Sequence, residues 1–71
     1  MTANEVAARY SMAELSKMFS AAATELQQVE QMLQVEILDK DLITTTIAYK
    51  ETLTQYAQLV FDAMKIKEKR N

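Results

Sequence analysis

The chain has 71 residues, 49% of them hydrophobic, a net charge of −2, and no cysteine, histidine, glycine or proline. That length allows one domain at most, and a lone core of this size supplies no more than about 3–5 kcal/mol. With neither a disulfide nor a Cys/His zinc site open to it, the chain must draw its stability from regular helix packing, self-association or a partner protein.

The N-terminal segment offers two helix starts. Thr2 with Glu5 and Ser11 with Glu14 each match the Ser/Thr-x-x-Glu capping box, whose side chains satisfy backbone N–H groups left without a partner at a helix end. Ala7 and Ala8, lying between the two boxes, favour an unbroken helix. Either a helix begins at residue 3 with Ser11 inside it, or a short first turn precedes Ser11; the expectation taken is one helix from about residue 3 to about 37, frayed before Ser11. From residue 12 the pattern is regular: Met12, Leu15, Phe19, Ala22, Leu26, Val29 and Leu33 recur at alternating steps of three and four, one apolar stripe on a helix.

The stripe fails in the segment EILDKDLITTT, residues 36–46. Continued from Leu33 it predicts apolar residues at 36, 40, 43, 47 and 50, where the chain has Glu36, Lys40, Ile43, Ile47 and Lys50. Asp39 and Asp41 are helix-capping residues that disfavour a helix interior. A bend at about 38–41 follows, with Ile37 and Leu38 packing over the hairpin end. A connection of about 3–5 residues makes the two arms antiparallel. The alternative, one continuous rod, would need a coiled-coil partner along its whole length.

The second helix is expected from about residue 42 to 68. Ile43 to Ile47 are all β-branched, which suits a strand better than a helix, but five residues between two long helical patterns cannot form a sheet alone. Beyond them, Tyr49, Leu53, Tyr56, Val60 and Ala63 recur at steps of four and three, and Leu53, Tyr56, Val60 and Ala63 form the stripe expected to face the first helix. Lys65, Lys67, Lys69 and Arg70 close the chain where the helix dipole favours cations. The fold class expected is all-α: a two-helix antiparallel hairpin spanning 1–71 as a single domain, completed by self-association or a partner.

Two helices bury only their facing stripes, and apolar residues are left over. Ala57, Phe61 and Met64 form a second line on helix 2, near Tyr56 and Leu59, while Met18, Met32 and Val35 lie beside the main line of helix 1. Fully burying a Phe, Met or Leu contributes roughly 1.5–3 kcal/mol, so such a surplus marks an interface. Tyr56, Ala57, Leu59, Phe61, Met64, Met18 and Met32 are the candidate partner-binding residues.

Chemistry is sparse. Ser11, Ser16 and Ser20 have no histidine to activate them, and the carboxylate pairs Asp39 with Asp41 and Glu25 with Glu30 read as a cap and a solvated face. No glycine means no phosphate-cradling loop. Hence no enzymatic activity, no cofactor, no metal and no small-molecule substrate is expected. The basic tail stands without interleaved aromatics, so no nucleic-acid partner is expected. No apolar run reaches the roughly 18–20 residues of a membrane span, and MTANEVAARY lacks the features of a cleaved signal peptide. A cytoplasmic location is expected, and export without a cleaved signal leaves no trace in this test.

The segment YKETLTQY, Tyr49 to Tyr56, resembles the second helix of the needle subunits of bacterial type III secretion, with Tyr, Leu and Tyr at steps of four and three. Those subunits carry a proline-containing bend and a longer C-terminal helix, whereas the bend here is LDKDL. In length and in its two antiparallel helices the chain also resembles the small co-chaperones that hold the needle subunit in the cytoplasm. That resemblance implies a partner-dependent hairpin whose second helix, with Tyr56, Leu59, Phe61 and Met64, faces the partner. The function expected is a small interaction module, an adaptor or chaperone; the alternatives are a self-assembling subunit of a bundle or filament and a small inhibitor of a protein target.

Overall fold

The computed structural model describes residues 1–34 and 39–70. The described residues fold into three helices, α1 (Ala3–Arg9), α2 (Met12–Gln34) and α3 (Lys40–Arg70), with no strand among them. The all-α class therefore holds, but the two-helix hairpin is corrected to three helices. Val35, Ile37 and Leu38, assigned above to the apolar surplus and the hairpin end, lie outside the described residues.

The first arm divides into two helices, each opened by its own cap. Thr2 Oγ1 accepts from the Glu5 N–H at 3.2 Å and donates to Glu5 Oε1 at 3.2 Å. α1 then ends at Tyr10, whose backbone is extended at φ −122°, ψ 146° and whose N–H donates to the Val6 carbonyl at 3.1 Å. Immediately afterwards Ser11 opens α2 with a reciprocal box: the Glu14 N–H donates to Ser11 Oγ at 3.1 Å, and the Ser11 N–H donates to Glu14 Oε1 at 3.0 Å. The bonds from the Ser11 N–H and hydroxyl hold the Glu14 carboxyl below its ordinary pKa of 4.5. A cap contributes about 1 kcal/mol, more than the helix preference of the alanines upstream.

Asp39 starts α3. Its Oδ1 accepts from the Asp41 N–H at 2.8 Å, and its carbonyl accepts from the Ile43 N–H at 3.0 Å. Of the two candidate caps it is Asp39 that serves, while Asp41 sits in the first turn, where the dipole favours an acid. The β-branched run is helical. Thr44, Thr45, Thr46, Thr52 and Thr54 each donate their hydroxyl to the carbonyl four residues back, at 2.7–3.1 Å. No hydroxyl in this run is left to compete with the helix for backbone partners.

α2 and α3 are antiparallel: Glu30 meets Lys50 at 3.5 Å, Glu25 meets the Tyr49 hydroxyl at 2.9 Å, and Phe19 meets Phe61 at 5.8 Å between ring centroids. The molecule measures 48 × 19 × 15 Å. Its length is set by the 31 residues of α3, roughly 46 Å at 1.5 Å per residue. The buried line of α2 is Leu15, Ala22 and Val29, and that of α3 is Thr46, Leu53, Ala57, Val60 and Ala63.

This differs from the expected inner line of α3. Tyr49 and Tyr56 stand outside, 47% and 39% exposed, while Ala57 takes a place in the core. A small side chain there lets two helices approach closely, and a phenol keeps its hydroxyl end wet. α1 packs on α3, where Val6 and Ala7 close a cluster with Leu15, Val60 and Ala63. At the pairing register of α2 with α3, an unbroken first helix would carry Val6 and Ala7 past the level of these residues. The break at Tyr10–Ser11 folds them back.

Candidate interaction surface

The seam between α2 and α3 divides the hairpin surface into two faces. On one, three pairs of side chains stand across from each other. Leu33 and Ile47 line a shallow groove of about 560 Å³ with Lys50, Glu51, Thr54 and Gln55. Leu26 and Thr54 line a second groove of about 260 Å³ together with Phe19 and Phe61, the rings of which are tilted by 38°. The pairs Phe19·Phe61, Leu26·Thr54 and Leu33·Ile47 are each seven residues from the next on both helices, so they form the rungs of a ladder spaced roughly 10 Å apart. Phe19, Leu26 and Leu33 are half-buried, whereas Ile47, Thr54 and Phe61 are exposed.

Beside the ladder, on the outer edge of α3, runs Glu51, Gln58 and Lys65, again at seven-residue steps. Lys65 Nζ lies 4.6 Å above the Phe61 ring centre, a cation–π contact.

The opposite face carries the tyrosines. Tyr49 donates its hydroxyl to Glu25 Oε2, and that bond, first among the causes, raises the Tyr49 pKa above its ordinary 10.0. A groove of about 400 Å³ beside it is lined by Met18, Ala22, Leu53 and Tyr56 among others. Ala63 occupies the same helical position as Tyr49 and Tyr56, further along α3, and it has no solvent exposure. α1 thus closes the tyrosine face at this end, and Leu59, Met64 and Ile66 pack against the cluster it completes.

The candidate partner-binding residues do not form one surface. Ala57 is buried; Leu59, Met64 and Met18 are half-buried against the core; Tyr56 lies on the tyrosine face; Met32 is exposed near the bend; Phe61 alone among them stands on the ladder as an exposed side chain. The residues that reasoning from sequence missed are Leu26, Leu33, Ile47 and Thr54. The heptad recurrence of Ile47, Thr54 and Phe61 was available as a signal, but a threonine in the middle position hides it from a count of apolar residues.

Among the described residues no three acidic side chains come together at metal-binding spacing, and no helix is long and apolar enough to cross a membrane. Compared with known proteins, the chain matches no family model, no curated protein and no solved structure.

Proposed function

We propose that this chain is a non-enzymatic helical interaction module, an adaptor or chaperone that binds a partner protein through the ladder face of α2 and α3. The observation that supports this reading is the exposed line of Ile47, Thr54 and Phe61 beside Leu33, Leu26 and Phe19. Apolar side chains repeating every seven residues are what a further helix needs for knobs-into-holes packing, and helix-in-groove binding uses such anchors. With Ile47 44% and Phe61 39% exposed, somewhat less than half of the roughly 1.5–3 kcal/mol of a full burial is still to be gained at each. The role implied by the resemblance to type III secretion co-chaperones, holding a helical secretion subunit in the cytoplasm, belongs to this proposal.

Photo-crosslinking in the source cells tests it. A benzophenone side chain at Ile47 or Thr54 yields a covalent adduct, and one at the exposed Thr24 of α2, away from the ladder, yields none. Equal labelling from all three positions, or no adduct from any, overturns the assignment of this face.

A further inference from the structure

The ladder face also indicates what covers it when no client is bound. We propose that its occupant is a second copy of the same chain, docked antiparallel across a two-fold axis at the level of Gln58 and Ala23. The inference rests on reading this face as a binding surface and deepens it by naming the occupant.

Charge carries the argument. Glu51 and Lys65 lie seven residues to either side of Gln58 on the exposed edge of α3. A two-fold axis at Gln58 therefore sets Glu51 of each copy against Lys65 of the other, twice, with the Gln58 side chains at the centre, each donating to its own Asp62 carboxylate at 3.0 Å. An isologous interface requires this kind of self-complementarity, in which residue i meets j and j meets i, and charges at such flanking positions select partner and orientation in coiled coils.

The rest of the face agrees with the same axis. In the antiparallel pairing of α2 with α3, Gln58 lies level with Ala22 and Ala23, because Phe61 is opposite Phe19 and Lys50 opposite Glu30. The exposed Ala23 at the centre of the α2 edge allows close approach. Glu30 then faces Ser16 of the second copy, so no like charges meet there, and Glu30 keeps its own Lys50. The Phe19·Phe61 rung of each copy falls against the Leu26·Thr54 rung of the other. On the α2 side Leu33 falls against Met12 of the second copy, which is half-buried and shares the helical position of Phe19, while on the α3 side Ile47 falls level with Glu68 and Lys69. The two inner rungs thus meet apolar side chains, and the outer rung does so on its α2 half.

A parallel arrangement, with both bends at one end, would place like residues of the two copies at the same level and leave Glu51 without Lys65. The axis at Gln58 thus also sets the direction of docking.

Sedimentation equilibrium of the purified full chain across a dilution series tests the proposal, with charge reversals at the two edge positions. Glu51 and Lys65 are both exposed, so circular dichroism is expected to show the helix content of each variant unchanged. The expected result is a mass that rises from one chain to two with concentration. Glu51→Lys or Lys65→Glu alone raises the dissociation constant about tenfold, since each makes two like-charge contacts in place of two attractive ones. The double reversal returns it to within about threefold of the wild type, as a direct pair requires. A chain that stays monomeric throughout, a dimer indifferent to the single reversals, or a double variant no better than the singles overturns it. This outcome is separable from the crosslinking test: a monomeric purified chain that still crosslinks to another protein at Ile47 keeps the adaptor reading and removes the dimer.

Discussion

At the end of the hairpin where α1 lies, Leu15 and Ala63 have no solvent exposure and Val60 only 1%; at the bend end Leu42, Ile43 and Ile47 are 37–45% exposed, and the buried residue of that stretch is Thr46. The helices are the same two at both ends. The difference is a third element: seven residues of α1 supply Val6 and Ala7 and convert a two-helix contact into a closed cluster. Two helices alone bury only facing stripes, and among the described residues of the bend end Leu42, Ile43 and Ile47 stay exposed. Burial is therefore uneven along one long helix, α3, dense where α1 joins it and sparse toward Leu42.

The sharpest way to break this contrast is to empty the closed end. Leu15→Ala removes a fully buried side chain and is expected to lower the unfolding free energy by about 2–4 kcal/mol, most of what a core of this size supplies. Urea denaturation followed by circular dichroism reads it, and a loss under about 1 kcal/mol would show that the α1 cluster is not the centre of stability. Val6→Ala, which leaves α1 in place but thins its contact, follows at about 1–2 kcal/mol. Ser11→Ala, which removes the hydroxyl half of the α2 box, is expected to cost about 1 kcal/mol.

Acid sharpens the same point. Because Glu14 has a lowered pKa in the fold, the unfolded chain binds its proton more readily than the folded one. The stabilisation is present above the ordinary carboxylate value and is lost as pH falls through the lowered folded value. Glu14→Gln cannot titrate, so the wild type loses more stability than the variant on acidification below 4.5, and parallel pH profiles would remove the box from the account.

A smaller stability effect than at Leu15 is expected at the bend end. Ile47 is already more than half covered, so Ile47→Ser is expected to lower the unfolding free energy of the dilute chain by about 1 kcal/mol while weakening the proposed association through the ladder. A large loss of stability there would place Ile47 in the core and erase the contrast between the ends.

Part of this organisation is legible in the residues. The heptad line of α2, the loss of phase at Glu36 and Lys40, and the capping side chains of Thr2, Ser11 and Asp39 are local signals. The choice between one N-terminal helix and two is not local. Both boxes are present in the sequence, and the decision turns on Val6 and Ala7 finding Val60 and Ala63, contacts between residues more than fifty positions apart. The inner line of α3 was misassigned for a similar reason. Tyr49 and Tyr56 fit the period as well as Thr46 and Ala57 do, and interhelical distance, absent from periodicity, favours the smaller pair. The ladder face was missed because Thr54 counts as polar.

That last point bears on how the surface meets water. A free hydroxyl must give up a bound water molecule when it is covered, at a penalty if no new partner replaces it. The hydroxyls of Thr44, Thr45, Thr52 and Thr54 already donate to their own helix, so covering them leaves no O–H without a partner and costs only the water on their acceptor lone pairs. The threonines of the first half of α3 thus dehydrate at a lower cost than free hydroxyls would. Association along it is expected to carry the negative heat-capacity change of apolar burial, out of proportion to its hydropathy.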